Sequence, residues 1–544
     1  MKAFTDLTPA DLEQMDKKVL ITIIGSLQGQ LKSINSQLDF LTEQIALMNQ
    51  RTFGRKSEKN NPLQLSLQDV YGQEIFNEPE YLADDSDEPD IKEIVISSYT
   101  RKEKTRREEK LKGLPARIIE HTLKEEELNE LFPDGYKELP CEVYKRLFII
   151  PQTFMVDEHH VHIYASKKND GVIKRAKRPP DLFRNSIATP ALVAAIMTGK
   201  YQNHLPLYRQ ISCYKDNGVR LEENTLANWM IKASDEYLSI IYDELHKRLY
   251  SSKVIHADET PFKVIKPNGS ESSQKSYMWV YRNKEDDPHP VVIYDYRPGR
   301  SHFYPDEFLK DYSGTLVTDG YQVYHTLENK RDDLKVAGCW VHAKRGFHEL
   351  VKAVGAENVQ DTVSAQAVNK ISEIFHIDKQ LKGLSASKRK QERQLRIKPK
   401  VNALFTWFNS VLPSLPPKCA TADAINYCLN QEKYLRAFLK DGNIPMDNNI
   451  AERAIRPFTL GRKNWVNMFS GNGAQASAVI YSLVETAKAN NLRVHDYLEL
   501  LLSELSAHAK DEDRSFIANL LPWSDNVIEK CRNPKKTSII ITNE

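Results

Sequence analysis

Three carboxylates stand in local settings that suit metal-assisted chemistry on phosphate esters. Asp258 lies in Val254-Ile-His-Ala-Asp-Glu-Thr-Pro-Phe-Lys-Val264, where a β-branched run leads into an acidic pair and apolar residues resume after a proline. That pattern reads as a buried strand delivering Asp258 at the point where the sheet opens to solvent. An unpaired buried carboxylate is costly, so something must compensate it, and a bound cation is one compensator. On this stretch alone, a carboxylate capping the next turn is the competing reading. Asp319 ends a second apolar run, Gly314-Thr-Leu-Val-Thr-Asp-Gly-Tyr321, and Glu452 stands about a turn inside a helix opened by Asp447-Asn-Asn. Hard divalent ions such as Mg2+ or Mn2+ prefer carboxylate oxygens. Two of them about 4 Å apart activate an attacking oxygen and stabilise a leaving one in an in-line displacement at phosphorus. Any one aspartate is weak evidence; the ordered triple, each member in a suitable context, is considerably stronger.

The spacing says what must position them. Asp258 and Asp319 are 61 positions apart (319 − 258), enough for three strands and a helix. Val254–Ala257, Tyr277–Tyr281 and Val291–Tyr296 read as three short strands in a meander. After Arg297-Pro-Gly-Arg300 and a helical stretch come a fourth strand ending at Asp319 and a fifth over Lys335–Val341. The interval from Asp319 to Glu452 is 133 (452 − 319), too long for a compact sheet alone. It implies a helical insertion over about 350–440, which carries the basic cluster Lys388, Arg389, Lys390, Arg393, Arg396, Lys398 and Lys400. The expected class is therefore mixed α/β, with a mixed sheet.

The rest of the chain flanks this region. Leu20, Ile24, Leu27, Leu31, Ile34, Leu38, Leu41, Ile45 and Met48 follow alternating steps of four and three, a heptad seam that calls for a partner helix. Residues 1–58 are accordingly expected to form a coiled-coil zipper and 59–112 a charged linker, acidic around Asp84–Asp90 and basic around Arg101–Lys112. Residues 113–168 form a small module in which His159, His160 and His162 alternate along an expected strand over Val156–Tyr164. They lack the thiolate partners of a structural zinc site, Cys141 being the one cysteine nearby. In 169–250, Thr189-Pro opens a helix, and two short helices about Gly218 suggest either a helix-turn-helix or a plain helical hairpin packed on the next domain. The five strands and the insertion fall in 251–495, and 496–544 is a C-terminal helical region.

Composition excludes more than it identifies. The 544 residues are 40% hydrophobic and 28% charged with a net charge of +2, ordinary for a globular protein and unlike a disordered or membrane one. No run is apolar enough to span a bilayer, the N-terminus lacks a secretory apolar core, and six scattered cysteines give no disulfide framework. A cytoplasmic setting is expected.

Several segments together resemble one family. Gly199-Lys-Tyr-Gln-Asn-His-Leu-Pro-Leu-Tyr-Arg209, His256-Ala-Asp-Glu-Thr260, Thr318-Asp-Gly-Tyr321, Gly338-Cys-Trp-Val-His-Ala-Lys-Arg345 and Asn448-Asn-Ile-Ala-Glu-Arg-Ala-Ile-Arg-Pro457 are similar to signatures of bacterial DDE transposases, in particular the family named after insertion sequence sixty-six. Arg51–Lys59 and Leu520-Leu-Pro-Trp523 resemble it too. The resemblance implies a ribonuclease H-like catalytic domain in which Asp258, Asp319 and Glu452 bind two Mg2+ or Mn2+ ions. It implies cleavage at transposon ends and strand transfer into target DNA, in a bacterial, nucleoid-associated setting, with accessory proteins of the same element as possible partners. A metal-dependent nuclease without strand transfer and an inert DNA-binding relative are the alternatives. Arg453, Arg456, Arg462, Lys463, Lys344 and Arg345 are candidates for contact with DNA phosphates. His256 and Glu259 are expected to support the site, and Trp340 to pack. The family's cysteine-rich zinc module corresponds to 113–168; with its cysteines lost, no zinc is expected.

If the seam at 20–48 joins two chains, Leu31→Lys with Leu38→Lys shifts the protein toward monomer in sedimentation; an unchanged oligomer would contradict the zipper.

Overall fold

A computed structural model of the chain describes residues 16–30, 152–165, 173–178 and 180–533, except 266–274, 355–361, 417–418 and 466–467, with a few isolated positions elsewhere. The charged linker, nearly all of the 113–151 stretch including Cys141, and most of the zipper lie outside the described residues. Residues 17–30 are helical, and the seam positions Ile24 and Leu27 are 53% and 48% exposed. Leu20 of the same seam is half-buried, and Ile23, which stands off the seam, is buried. His159, His160 and His162 are exposed, and the strand expected over Val156–Tyr164 shrinks to Ile163–Ala165, paired antiparallel with Ile173–Arg175.

Five strands make the central sheet: β1 (Val254–Phe262), β2 (Ser276–Arg282), β3 (Val292–Arg297), β4 (Gly314–Thr318) and β5 (Leu334–Gly338). Their order is β3-β2-β1-β4-β5. The first three form the antiparallel meander read from their alternation, and β4 and β5 add on in parallel with β1. Parallel neighbours need crossovers. Phe303–Phe308 lies in the first, from β3 to β4, and Gln322–Lys330 forms the second, from β4 to β5. Two boundaries differ from expectation. β1 continues through Asp258 to Phe262, because its pairing with β2 persists after that with β4 has stopped. Pro261 is tolerated there, where one edge of β1 is open. Conversely β5 ends at Gly338, and Trp340 already opens a helix.

The longer helices follow in the order of the chain. Ahead of the sheet come α1 (Pro190–Met197), α2 (Leu207–Asp216), α3 (Glu223–Ala233) and α4 (Ser239–Tyr250). The crossovers supply α5 (Phe303–Phe308) and α6 (Gln322–Lys330), followed by α7 (Trp340–Val354). The insertion supplies α8 (Val363–Gln380), α9 (Ala386–Glu392), α10 (Lys398–Val411) and α11 (Ala420–Asn430). After the insertion come α12 (Asn449–Trp465), α13 (Gly471–Ala489) and α14 (Val494–Ala507), and a short helix over Asp525–Cys531 follows them.

Thr189 caps α1 as its Thr-Pro signature predicts, its hydroxyl accepting the Leu192 N–H at 3.2 Å. Between α2 and α3 the chain turns at Gly218, whose φ of +83° suits glycine. The connection spans 217–222, longer than the turn of a tight helix-turn-helix. The α3 residues Leu226, Trp229, Met230 and Ala233 are buried in the same core as the sheet.

The insertion is helical as read, and it builds a second core from Phe347, Ile371, Ile374, Val401, Phe405 and Phe408, with Trp340 among them. Trp340 donates its indole N–H to the Leu435 carbonyl at 2.8 Å, so packing is its role here. Much of the basic cluster is structural. Arg393 is buried, paired with Asp378 at 2.7 Å, and donates to the carbonyls of Phe438 and Ile444. Arg389 ties down the carbonyls of Leu384 and Gly442, and Lys400 pairs with Glu373.

The exposed edge of a sheet invites foreign strands unless it is covered. Here α13 covers β3 with two hydroxyls one turn apart. Ser482 Oγ accepts the Tyr294 N–H at 2.8 Å, and Thr486 Oγ1 accepts the Val292 N–H and donates to its carbonyl, both at 3.0 Å. Thr486→Val keeps the shape and removes both bonds, so it should destabilise the protein by about 1–3 kcal/mol, read as a lower unfolding midpoint in denaturant.

Candidate active site at the open end of the sheet

The geometry of the site begins with strand register. β1 and β4 run parallel with Val254 opposite Thr315, Ile255 opposite Leu316 and His256 opposite Val317, a constant offset of 61 (315 − 254). The same offset carries Asp258 to Asp319, two positions beyond the last rung. Neighbouring strands lie about 4.8 Å apart and alternate faces with a period of two. Both aspartates therefore leave the sheet on one face, where the ladder between their strands has just ended.

That face is covered by α12. Along β1, His256 meets Asn448, Thr260 accepts a hydrogen bond from Arg462, and Phe262 packs edge-on against Phe458. Asp258 belongs to the same row, and Glu452 lies in the first turn of the covering helix. The electrostatics register this convergence. Burial pushes the Asp258 carboxyl well above the usual carboxylate range, and the charges of Glu259, Asp319 and Glu452 push it further. The Glu259 N–H, donated to Asp258 Oδ1 at 2.9 Å, works the other way. All three predicted carboxylates are thus brought together.

They do not yet close on one point. Among the described residues, no three His, Cys, Asp or Glu side chains are gathered tightly enough to hold an ion. Glu452 is engaged by Arg345, whose Nη2 lies 3.3 Å from both carboxylate oxygens, and by His342 Nε2 at 3.5 Å. Asp319 accepts the Tyr321 N–H on Oδ1, and its backbone carbonyl accepts the Tyr427 hydroxyl at 2.7 Å. Chemically the three carboxylates fit a hard divalent cation, because a crowded, partly buried set of negative charges is what such an ion offsets. Glu259 points to the opposite face. Its side chain is 2% exposed and accepts from Arg300 at 3.0 and 2.6 Å and from the Tyr324 hydroxyl at 3.2 Å, a supporting position.

Asn448 sets the position of α12. Its backbone carbonyl accepts the first helical N–H groups, those of Ala451 and Glu452, as an N-cap should. Its side chain, however, reaches across to β1. Nδ2 donates to the Ala257 carbonyl at 2.8 Å, which leaves Oδ1 to accept from His256 Nδ1 at 2.9 Å. His256 is buried and its pKa is pushed down to about 3 by that burial, so it stays neutral with the proton on Nδ1. Asp447 Oδ1 accepts the Asn449 N–H at 3.1 Å, supporting the helix start from outside. The sequence pointed to a capping residue somewhere in Asp447-Asn-Asn, but the strand-to-helix latch left no local signal.

The nominated cations divide by role. Arg462 is spent locally on Thr260 Oγ1 and the Pro261 carbonyl, and Arg345 on Glu452. Arg453 pairs with Glu285 at 2.9 Å on an exposed surface. Lys344 and Arg456 are half-buried, and Lys463 is exposed. Arg300, Tyr321 and Tyr427, which no motif singled out for a role, line a cavity of about 380 Å3 that opens beside Asp319.

Asn448→Ala would orphan His256 Nδ1–H and the Ala257 carbonyl together. It should cost about 1–3 kcal/mol or more, seen in chemical denaturation; an unchanged midpoint would show that the latch is not holding α12.

Comparison with known proteins places the chain. Residues 185–476, more than half of it, match the model described as Transposase IS66 family; residues 482–523 match the IS66 C-terminal element, and 40–118 match Transposase C of IS166 homeodomain. Two proteins of Sinorhizobium fredii (strain NBRC 101917 / NGR234) are similar over much of the chain. Uncharacterized protein y4qI is 32% identical over 391 residues, covering 70% of each, and uncharacterized protein y4jD is 30% identical over 390 residues, covering 70% of this chain and 74% of the other. Among the described residues, no helix is long and apolar enough to cross a membrane. The Transposase IS66 family model spans the motifs from Gly199 to Pro457, and on that match the chain belongs to the IS66 family of transposases.

Proposed function

We propose that this chain cleaves DNA at the ends of its element and joins the freed 3′ hydroxyls to target DNA, with Asp258, Asp319 and Glu452 as ligands of two Mg2+ or Mn2+ ions. The observation that carries this reading is the common register of Asp258 and Asp319 on adjacent parallel strands, facing the helix that bears Glu452. The strand order, with β2 antiparallel to the other four and the insertion lying between the second aspartate and the glutamate, supports a ribonuclease H-like domain.

The chemistry supplied by such ions is activation of a water or 3′ hydroxyl and stabilisation of the departing oxygen in an in-line displacement. The protein's share is positioning. Asp258 and Asp319 present their carboxylates from strand ends that the sheet holds rigidly, and Glu452 approaches from α12, which Asn448 and Arg462 tie to β1. No side chain needs to act as nucleophile, because water and the DNA itself provide the attacking oxygens. Arg453, Arg456, Lys344 and Lys463 supply positive charge on α7 and α12 for the phosphates of end and target DNA. Arg345 and Arg462 add charge beside the carboxylates while bracing the site. Self-association through the seam at 20–48 would bring two such sites to two element ends.

Asp258→Ala, Asp319→Ala and Glu452→Ala should each abolish Mg2+-dependent cleavage and strand transfer on the element's own end DNA. Mn2+ should raise the melting temperature of the wild-type protein and not that of Asp258→Asn, because a cation bound only by the folded state stabilises it. Full activity in all three alanine variants, or an Mn2+ upshift that survives in Asp258→Asn, would overturn the assignment.

A further inference from the structure

We infer that the cavity between the sheet and the helical insertion is a subsite for one unpaired nucleotide of the DNA beside the scissile phosphate; the inference rests on the transposase reading and deepens it. The cavity starts at Asp319 and runs between two parts of the fold. Arg300, Gly320 and Tyr321 line it from the sheet end, and Ala424 and Tyr427 of α11 close it from the insertion. Its volume of about 380 Å3 sits at the small end of ligand-binding pockets, room for a single nucleotide and far too little for a duplex.

Its walls have the chemistry of nucleotide recognition. The Arg300 guanidinium sits over the Tyr321 ring, its carbon 3.7 Å from the centroid, and Nε and Nη2 are held by Glu259. Nη1 has no partner among the described residues. The carboxylate doing this is 2% exposed, whereas Arg300 itself is 42% exposed. A nearly buried acid is therefore used to hold a cation rigidly at the mouth of a cavity, with one donor edge left for a phosphate or a base edge. Tyr427 supplies aromatic surface and the Arg300 guanidinium seated on Tyr321 a second flat one, and base stacking on such surfaces tolerates any sequence.

Apart from His342, the remaining lining from Gly320, Ala343, Gly346 and Ala424 is small. Gly320 has a φ of +99°, and a Cβ there would meet the Tyr427 hydroxyl at 2.7 Å; a Cβ on Gly346 would lie 3.1 Å from that of Ala424. Larger residues would fill the slot that a flat ring needs. One wall belongs to α11, so the subsite exists only because the insertion folds back over the sheet. An unpaired nucleotide held there would fix the strand entering at Asp319, which is what in-line attack requires of its substrate.

The test uses the full chain in EDTA, so that binding is read without cleavage. Fluorescence anisotropy compares a labelled DNA hairpin carrying one unpaired 3′-terminal thymidine with the same hairpin blunt-ended. The wild-type protein should prefer the unpaired probe by roughly ten-fold, the worth of one stacked base. Ala424→Met, which fills the cavity from the insertion side, and Arg300→Ala, which removes its charged edge, should each bring that ratio close to one, with the blunt probe as internal reference. Equal wild-type affinity for both probes overturns the inference, as does a preference that survives in both variants. A wild-type protein that binds neither probe would overturn the transposase reading as well, so the two failures are told apart.

Discussion

Two adjacent carboxylates on β1 leave the strand on opposite faces, and each demands a different compensation. Glu259 finds its partners within the protein: Arg300 and Tyr324 close around a side chain that water hardly reaches. Asp258 finds more negative charge, from Asp319 and Glu452. A strand that buries one acid with a full set of donors and surrounds the other with acids is poorly arranged for stability alone. The imbalance is local, and it lies where the parallel ladder between β1 and β4 stops. Transposases of this kind generally work with a divalent metal, the sort of positive charge that would offset such a cluster.

The surrounding structure keeps that unfavourable cluster together. Helix α12 is fastened to β1 on both sides of Glu452. Asn448 bonds to Ala257 and His256 below it, Arg462 to Thr260 and Pro261 above it, and Phe458 packs on Phe262. Opposite α12, α7 sends Arg345 and His342 to Glu452. The insertion stabilises α7 in turn through a separate hydrophobic core around Trp340, Phe347 and Phe405. The long interval between the second and third carboxylates is thus used twice, to brace the helix that meets Glu452 and to wall the cavity beside Asp319.

Sequence and structure agree most closely where the signal is local. Alternation with a period of two marked the meander and the two following strands, and a Thr-Pro pair marked the start of α1, because these patterns depend on the residue and its near neighbours. The misplaced end of β1 has a cause outside the strand. β1 outruns its expected length because β2 keeps pairing with it after β4 has left, a fact about partners rather than propensity. Within the basic cluster of the insertion no local signal sets Arg393 apart, yet it is buried on Asp378 and the carbonyls of Phe438 and Ile444.

The sequence by itself determined the order of elements, the mixed α/β class, the insertion implied by a 133-residue interval and the three carboxylates, and its motifs pointed to the family. What only the tertiary structure decided was which distant residues meet. The offset of 61 aligning Asp258 with Asp319, the reach of Asn448 to β1, the capture of Arg345 by Glu452 and the cavity shared by Arg300 and Tyr427 all join positions from 61 to 192 residues apart. Periodicity records which face of an element is buried, but not its register against a partner, and a cation's charge is written in the sequence while the acid that claims it is set by packing.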